Sequence, residues 1–189
     1  FIFLWIYTEG NYLDAGRVFV DYLPLLLINS ITWWVIALLL VCTYPSSARY
    51  WGKNPLLQLL FAFSTLIPFM AAVLRLRLDG YALDNYHGLF LLLYAFVLVW
   101  AADSGAYFAG RAFGKHKLAP KVSPGKTWEG VAGGLCTAAI LAFVFMYFFE
   151  ATLLGQRSVG GFVLLSVATV AISVLGDLTE SMFKRESGI

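Results

Sequence analysis

The sequence predicts an all-α fold, a polytopic transmembrane helical bundle of five spans with a truncated further one at the N-terminus. Three observations carry this. Of 189 residues, 60% are hydrophobic and only 13% charged, where soluble domains carry about a quarter charged. The mean hydropathy is +0.78. Five apolar stretches, roughly 22–43, 55–74, 88–102, 129–149 and 159–176, approach the ~20 residues needed to cross a hydrocarbon core about 30 Å thick. Residues 1–189 read as a single membrane domain, and soluble-domain arithmetic does not apply.

The first and third stretches qualify this picture. Phe1–Tyr7 has no initiating Met, no basic leader and no small-residue cleavage site, so it reads as the end of a span and not as a signal peptide. The last residues, Lys184 to Ile189, stop without a closing span, and the chain is expected to be a piece of a longer protein. Gly88 to Ala102 makes only about 22 Å of helix, so a spanning helix must continue through Asp103 or thin the bilayer locally. Asp103 is thereby expected at or below headgroup level.

If all five stretches cross, the connecting segments alternate sides. One side holds Arg49, Lys53, Arg111, Lys115, Lys117, Lys121, Lys126, Lys184 and Arg185; the other holds Arg17, Arg75, Arg77 and Arg157. Nine basic residues against four place the 103–128 loop and the C-terminal end in the cytoplasm. The net charge of +2 is too small to point to nucleic acid. Cys42 and Cys136 lie inside apolar runs and read as small hydrophobes. Pro68 is expected to kink the second span, a defect that neighbouring helices can satisfy. Gly130, Gly134 and Ala138 form a small-residue stripe that lets another helix approach.

Two groups of residues carry chemistry. Asp103 and Asp177 are expected at the cytoplasmic C-terminal ends of two spans, where free carbonyls and the helix dipole disfavour carboxylates unless a cation is bound. Oxygen ligands of this kind suit Mg²⁺, which takes one or two carboxylates and leaves room for water and phosphate. Asp177, Glu180, Ser181 and Lys184 share one face if the helix continues past Gly176. The plainer reading is a solvated helix end, with Glu180 and Lys184 as an i,i+4 pair.

The second group is the loop Arg111 to Thr127, which holds five basic residues and His116 with no acidic residue between Asp103 and Glu129. Such a loop favours anions. Ser123 followed by Pro124 reads as a helix N-cap with Pro at the first helical position, aiming a helix terminus at a ligand. The alternative is an ordinary positive-inside loop lying on anionic lipid. Gly125-Lys126-Thr127 does not make a P-loop, because Pro120 stands where that motif needs Gly. His87 and His116 have no ligand-like spacing. Arg75, Arg77, Asp79 and Asp84 read as a solvated connector.

Two runs then resemble a known family. They are Trp100-Ala-Ala-Asp-Ser-Gly through Ser123-Pro-Gly-Lys-Thr-Trp-Glu-Gly130, and Val174-Leu-Gly-Asp-Leu-Thr-Glu-Ser-Met-Phe-Lys-Arg-Glu-Ser-Gly-Ile189. Together they look like the best-marked regions of bacterial phosphatidate cytidylyltransferases (CDP-diacylglycerol synthases). The resemblance implies attack of phosphatidic acid on the α-phosphorus of CTP, giving CDP-diacylglycerol and pyrophosphate for phospholipid biosynthesis. It implies Mg²⁺, with room for a second cation, and a multi-pass protein of the bacterial inner membrane whose active site faces the cytoplasm.

Carried over position by position, the resemblance makes Asp177 the leading metal ligand, with Asp103 and Glu180 beside it. Lys121, Ser123, Lys126 and Thr127 become nucleotide or phosphate contacts, and Lys184 and Arg185 candidates for the lipid phosphate or pyrophosphate. Asp177, Lys126, Lys184 and Arg185 are the catalytic set. The expected partners are CTP, phosphatidic acid and the lipid bilayer, without nucleic acid; a homodimer is one assembly the resemblance allows. The family signature runs on past the Lys-Arg pair into a Lys-Asp segment, a His-Gly-Gly stretch and further acidic residues, which this chain does not reach, so the piece as given is expected to be inactive. The rival readings are a CTP-dependent polyprenol- or phytol-type lipid kinase and a transporter of anionic lipid. The second is disfavoured because the charges collect at span ends and not at the bilayer midplane.

Overall fold

The computed structural model describes residues 12–79, 86–149 and 159–188. The elements in chain order are helices α1 (Tyr12–Cys42), α2 (Ala48–Trp51), α3 (Pro55–Arg77) and α4 (His87–Phe113), strands β1 (Lys117–Ala119) and β2 (Ser123–Thr127), then α5 (Trp128–Phe149) and α6 (Val159–Glu186). Among the described residues five helices are long and apolar enough to cross a membrane: Pro24–Cys42 within α1, and α3, α4, α5 and α6. The chain is a polytopic helical bundle, as its hydropathy predicts. The N-terminal stub, Asp84 and Arg157 lie outside the described residues.

Each long helix has a local reason to begin or persist. The Asn54 side chain accepts from the backbone N–H of Leu56 (3.1 Å) and Leu57 (3.3 Å), and Pro55 takes the first helical position of α3. This satisfies two of the donors that a helix start leaves unpaired. Pro68 is accommodated inside α3. Large apolar side chains such as Leu25, Ile31, Leu60, Phe63, Phe143 and Leu164 are exposed on the helix flanks. A water-soluble bundle would turn residues of this size inward; a hydrocarbon environment removes the need.

Buried contacts therefore concentrate where helices meet. Gly130, Gly134 and Ala138 are buried along α5, and the stripe continues through Ala142 and Met146. A Cβ at Gly134 would lie 3.0 Å from the Ala102 carbonyl oxygen, and one at Gly130 2.9 Å from that of Ala106. The absence of side chains lets the α4 and α5 backbones come into van der Waals contact. Deeper in the bundle, Tyr94 of α4 meets Ser166 of α6 through a 2.7 Å hydroxyl pair, and Ser166 donates to the Phe162 carbonyl at 2.9 Å. Tyr94→Phe is expected to lower stability by about 0.5–1 kcal/mol, because Ser166 keeps its other partner; unfolding in mixed detergent micelles measures it.

The connecting segments gather at one end. The Tyr44 hydroxyl donates to Glu186 at 3.1 Å, Trp51 stacks edge-on against Phe183 at 4.9 Å, and Val122 from between the strands is buried with Trp51, Leu178 and Met182. The three segments that hold nine of the thirteen basic residues thus lie together. At the opposite end Asp79 pairs with Arg75 (3.1 Å) and His87 (3.4 Å).

Three expectations need correction. The third span continues through Asp103, one of its two expected alternatives, but runs unbroken to Phe113, so the connecting loop does not begin at 103. Asp103 and Asp177 therefore do not sit at helix C-termini: both lie inside helices whose backbone carbonyls are already bonded, and the helix-end argument for a cation at these positions fails. Ser123 is not an N-cap. It opens β2, with Ala119 as its partner across the ribbon, and Pro124 is tolerated because both strands of a two-stranded ribbon are edges. Thr127 takes the capping role, its Oγ1 accepting from Gly130 N at 3.2 Å.

Candidate functional site

The site is built where α4, α6 and the β1–β2 hairpin meet. A cavity of about 620 Å³ is lined by Asp103, Tyr107 and Arg111 of α4, by Ser123, Lys126 and Thr127 of β2, and by Asp177 of α6. The two aspartates come from helices far apart in sequence, and the hairpin lies across them. Lys126 forms an ion pair with Asp177. The charges of both Asp177 and Lys126 act on Asp103, so the three form one electrostatic unit. Arg111 on the same wall brings the lining to two carboxylates and two cationic groups, so the cavity offers both oxygen donors for a cation and cationic partners for an anion.

The hairpin is held at both ends. At its tip Arg185 donates through Nε to the Val122 carbonyl. At its base the Glu129 carboxylate accepts from Lys115 N (3.2 Å), His116 N (3.3 Å) and His116 Nδ1 (2.6 Å), and Trp128 N donates to the His116 carbonyl (2.9 Å). Thr127 is only 6% exposed. Its side chain packs against the positions of Gly110 and Gly114, where any Cβ would meet it.

Of the residues named from the sequence, Asp103, Asp177, Ser123, Lys126 and Thr127 come together around one cavity. The others are placed elsewhere. Lys121 is exposed at the hairpin turn, outside the cavity lining. Glu180 and Lys184 pair with each other at 2.7 Å and line a second hollow of about 460 Å³, walled by Trp34, Trp51, Phe61 and Phe183. Among the described residues no three His, Cys, Asp or Glu side chains converge on one point, so Glu180 does not join the two aspartates. Arg185 spends its Nε on the hairpin backbone. Sequence reasoning counted Arg111 in the anion-favouring loop but missed Tyr107, whose hydroxyl accepts from Arg111 at 3.0 Å on the cavity wall; their i,i+4 spacing was the available signal.

These features define a polytopic membrane protein with a mixed acidic and basic cavity at one end of its bundle. The profile of the cytidylyltransferase family matches residues 1–189. The chain is 76% identical over its whole length to a phosphatidate cytidylyltransferase of Haemophilus influenzae, covering 66% of that protein. It is 43% identical over 168 residues to one of Pseudomonas aeruginosa, an alignment covering 86% of this chain and 56% of the relative. It is 45% identical over 106 residues to one of Bacillus subtilis, covering 54% of this chain and 36% of the relative. The chain belongs to the cytidylyltransferase family. It spans less than two thirds of the length of these curated relatives. No solved structure matches it.

Proposed function

We propose that the protein to which this chain belongs transfers the cytidylyl group of CTP to phosphatidic acid, as the names of its relatives state for them. The observation that carries the reading is the cavity in which Asp103 and Asp177 face Lys126, Ser123 and Thr127. Its volume lies within the range of small-molecule sites, about 300–1,000 Å³. In the reaction a phosphate oxygen of phosphatidic acid bonds to the α-phosphorus of CTP, the bond to the β-phosphate oxygen breaks, and pyrophosphate leaves with the electron pair. Phosphatidic acid brings its own anionic nucleophile, so the protein's task is to align two anions and neutralise their charge.

The chain's own residues suit that task. The Lys126 ammonium, with three donors, and the Ser123 hydroxyl are placed to hold phosphate oxygens. Arg111 adds a second cationic group on the cavity wall. Asp103 and Asp177 are hard oxygen donors on adjacent helices, a donor set that fits Mg²⁺, which takes one or two protein carboxylates and leaves positions for phosphate oxygens; the negative charge of the bound phosphates leaves room for a second cation. When bound, Mg²⁺ supplies charge neutralisation on the transferred and leaving phosphates. The nine basic residues gathered at this end support a cytoplasmic orientation by the positive-inside rule, and the bacterial relatives support a bacterial inner membrane as the location. Phosphatidic acid then reaches the site from the bilayer and CTP from solution.

The test uses the full-length protein in detergent with phosphatidic acid, Mg²⁺ and CTP labelled at either the α- or the γ-phosphorus. Label from the α-position in the lipid product, with release of pyrophosphate, supports the reading. Lipid labelled only from the γ-position would make the protein a lipid kinase instead.

A further inference from the structure

The hairpin that carries Ser123, Lys126 and Thr127 has two short strands and a register irregularity between Lys117 and Ala119. An isolated two-stranded ribbon is marginal in water, so its position over the cavity depends on ties to the bundle. At the tip, Val122 is 2% exposed and its carbonyl accepts from Arg185. At the base the side-chain tie is a single carboxylate. The Glu129 carboxylate, in the first turn of α5, takes the backbone N–H of Lys115 (3.2 Å), that of His116 (3.3 Å) and the His116 ring Nδ1 (2.6 Å).

Those donors belong to the segment leaving α4, whereas Glu129 lies just past the end of β2. The carboxylate therefore joins the two ends of the hairpin. Trp128 N, bonded to the His116 carbonyl at 2.9 Å, closes the same junction from the backbone. Lys126 is three residues from Glu129, and a rotation of the hairpin about its base would move the Lys126 ammonium away from Asp177. Glu129 does not line the cavity.

We propose that Glu129 is a positioning residue: it fixes the base of the hairpin so that Lys126 and Ser123 are held over the Asp103–Asp177 pair to receive the phosphates of the nucleotide. The proposal rests on the cytidylyltransferase reading for its ligand, but the clamp itself does not. A helix-start carboxylate that served only the α5 dipole would not need three donors from a segment thirteen residues upstream.

The experiment compares wild type with Glu129→Ala and Glu129→Gln in the full-length protein. Hydrogen exchange of the amides of residues 117–127 reads the clamp, and the KM for CTP, the KM for phosphatidic acid and kcat read the positioning. Glu129→Ala is expected to speed hairpin exchange while leaving α4 and α5 protected, and to raise the KM for CTP by about 10-fold with kcat changed by less than about 3-fold. The KM for phosphatidic acid stays put. Glu129→Gln, which keeps one oxygen acceptor, recovers most of the nucleotide affinity.

Unchanged hairpin exchange in Glu129→Ala would overturn the clamp. Faster exchange with an unmoved KM for CTP would overturn the positioning role, as would a parallel loss of all parameters with the folded fraction. If the wild type forms no CDP-lipid, the functional reading falls and with it the nucleotide part of the proposal, and hairpin exchange alone then decides whether Glu129 clamps.

Discussion

Asp177→Asn in the full-length protein is expected to reduce CDP-diacylglycerol formation by about 10²-fold or more, the scale on which loss of a preorganised charge in a phosphate site is felt. The substitution keeps the shape of the side chain and removes its charge. In the cavity Asp177 is the partner of Lys126, and in the proposed function it is, with Asp103, an oxygen donor for the metal ion. Asparagine leaves Lys126 without its counter-charge and halves the carboxylate content. Binding of Mn²⁺ as a spectroscopic probe should weaken in parallel, and the helical circular dichroism should not change, since the side chain is exposed and packs against no core residue. Activity surviving in the variant would remove Asp177 from the mechanism.

The second large effect is on assembly. Gly133→Leu is expected to cost more than about 3 kcal/mol, because a side chain there cannot be absorbed by a rotamer change. Its Cβ would overlap that of Ala109 and approach the Gly105 carbonyl oxygen to 3.0 Å. Both obstacles belong to the α4 helix itself, so the helices must separate. Separation would also displace Asp103 from the hairpin and Thr127 from Gly110, so the site should be lost with the seam. Gly160, with nothing within 4 Å of its Cβ position, is the control; Gly160→Ala should be neutral in the same unfolding assay.

The legible part of the fold was the part set by hydropathy over a window longer than any one contact. The starts of the five spans were placed within a few residues, whereas the third and fifth run to Phe113 and Glu186, well past the expected 102 and 176; the Gly130–Gly134–Ala138 stripe was visible because an interval of four keeps residues on one helical face. The end of the third span was misjudged for a physical reason. Asp103 breaks the hydropathy run, but a single carboxylate does not break helical hydrogen bonding, and α4 continues to Phe113 despite Gly105 and Gly110, whose missing side chains admit Thr137 and Thr127. Ser123-Pro124 carried a real capping pattern, and pairing with Ala119 overrode it.

The site divides along the same line. Asp103, Asp177, Ser123, Lys126 and Thr127 were chosen by residue type and by resemblance, and they do meet around one cavity. Glu129 stood in plain view as the acidic residue that ends the basic loop, yet nothing in its local spacing said that it gathers Lys115 and His116. Arg185 was assigned a phosphate by the resemblance; its bond to the Val122 carbonyl depends on α6 passing beside the hairpin tip.

What the sequence by itself determined is the environment and the chemical inventory: a bundle of apolar helices, basic segments on one side, and a small set of carboxylates and lysines able to bind charge. These follow from transfer free energies and residue types, which are additive along a chain. Only the tertiary structure decided which of those groups face one another. Lys126 meets Asp177, Glu180 turns with Lys184 to a separate hollow, and Glu129 ties a hairpin together, because each outcome depends on how closely α4, α5 and α6 pack and on which face each helix turns inward.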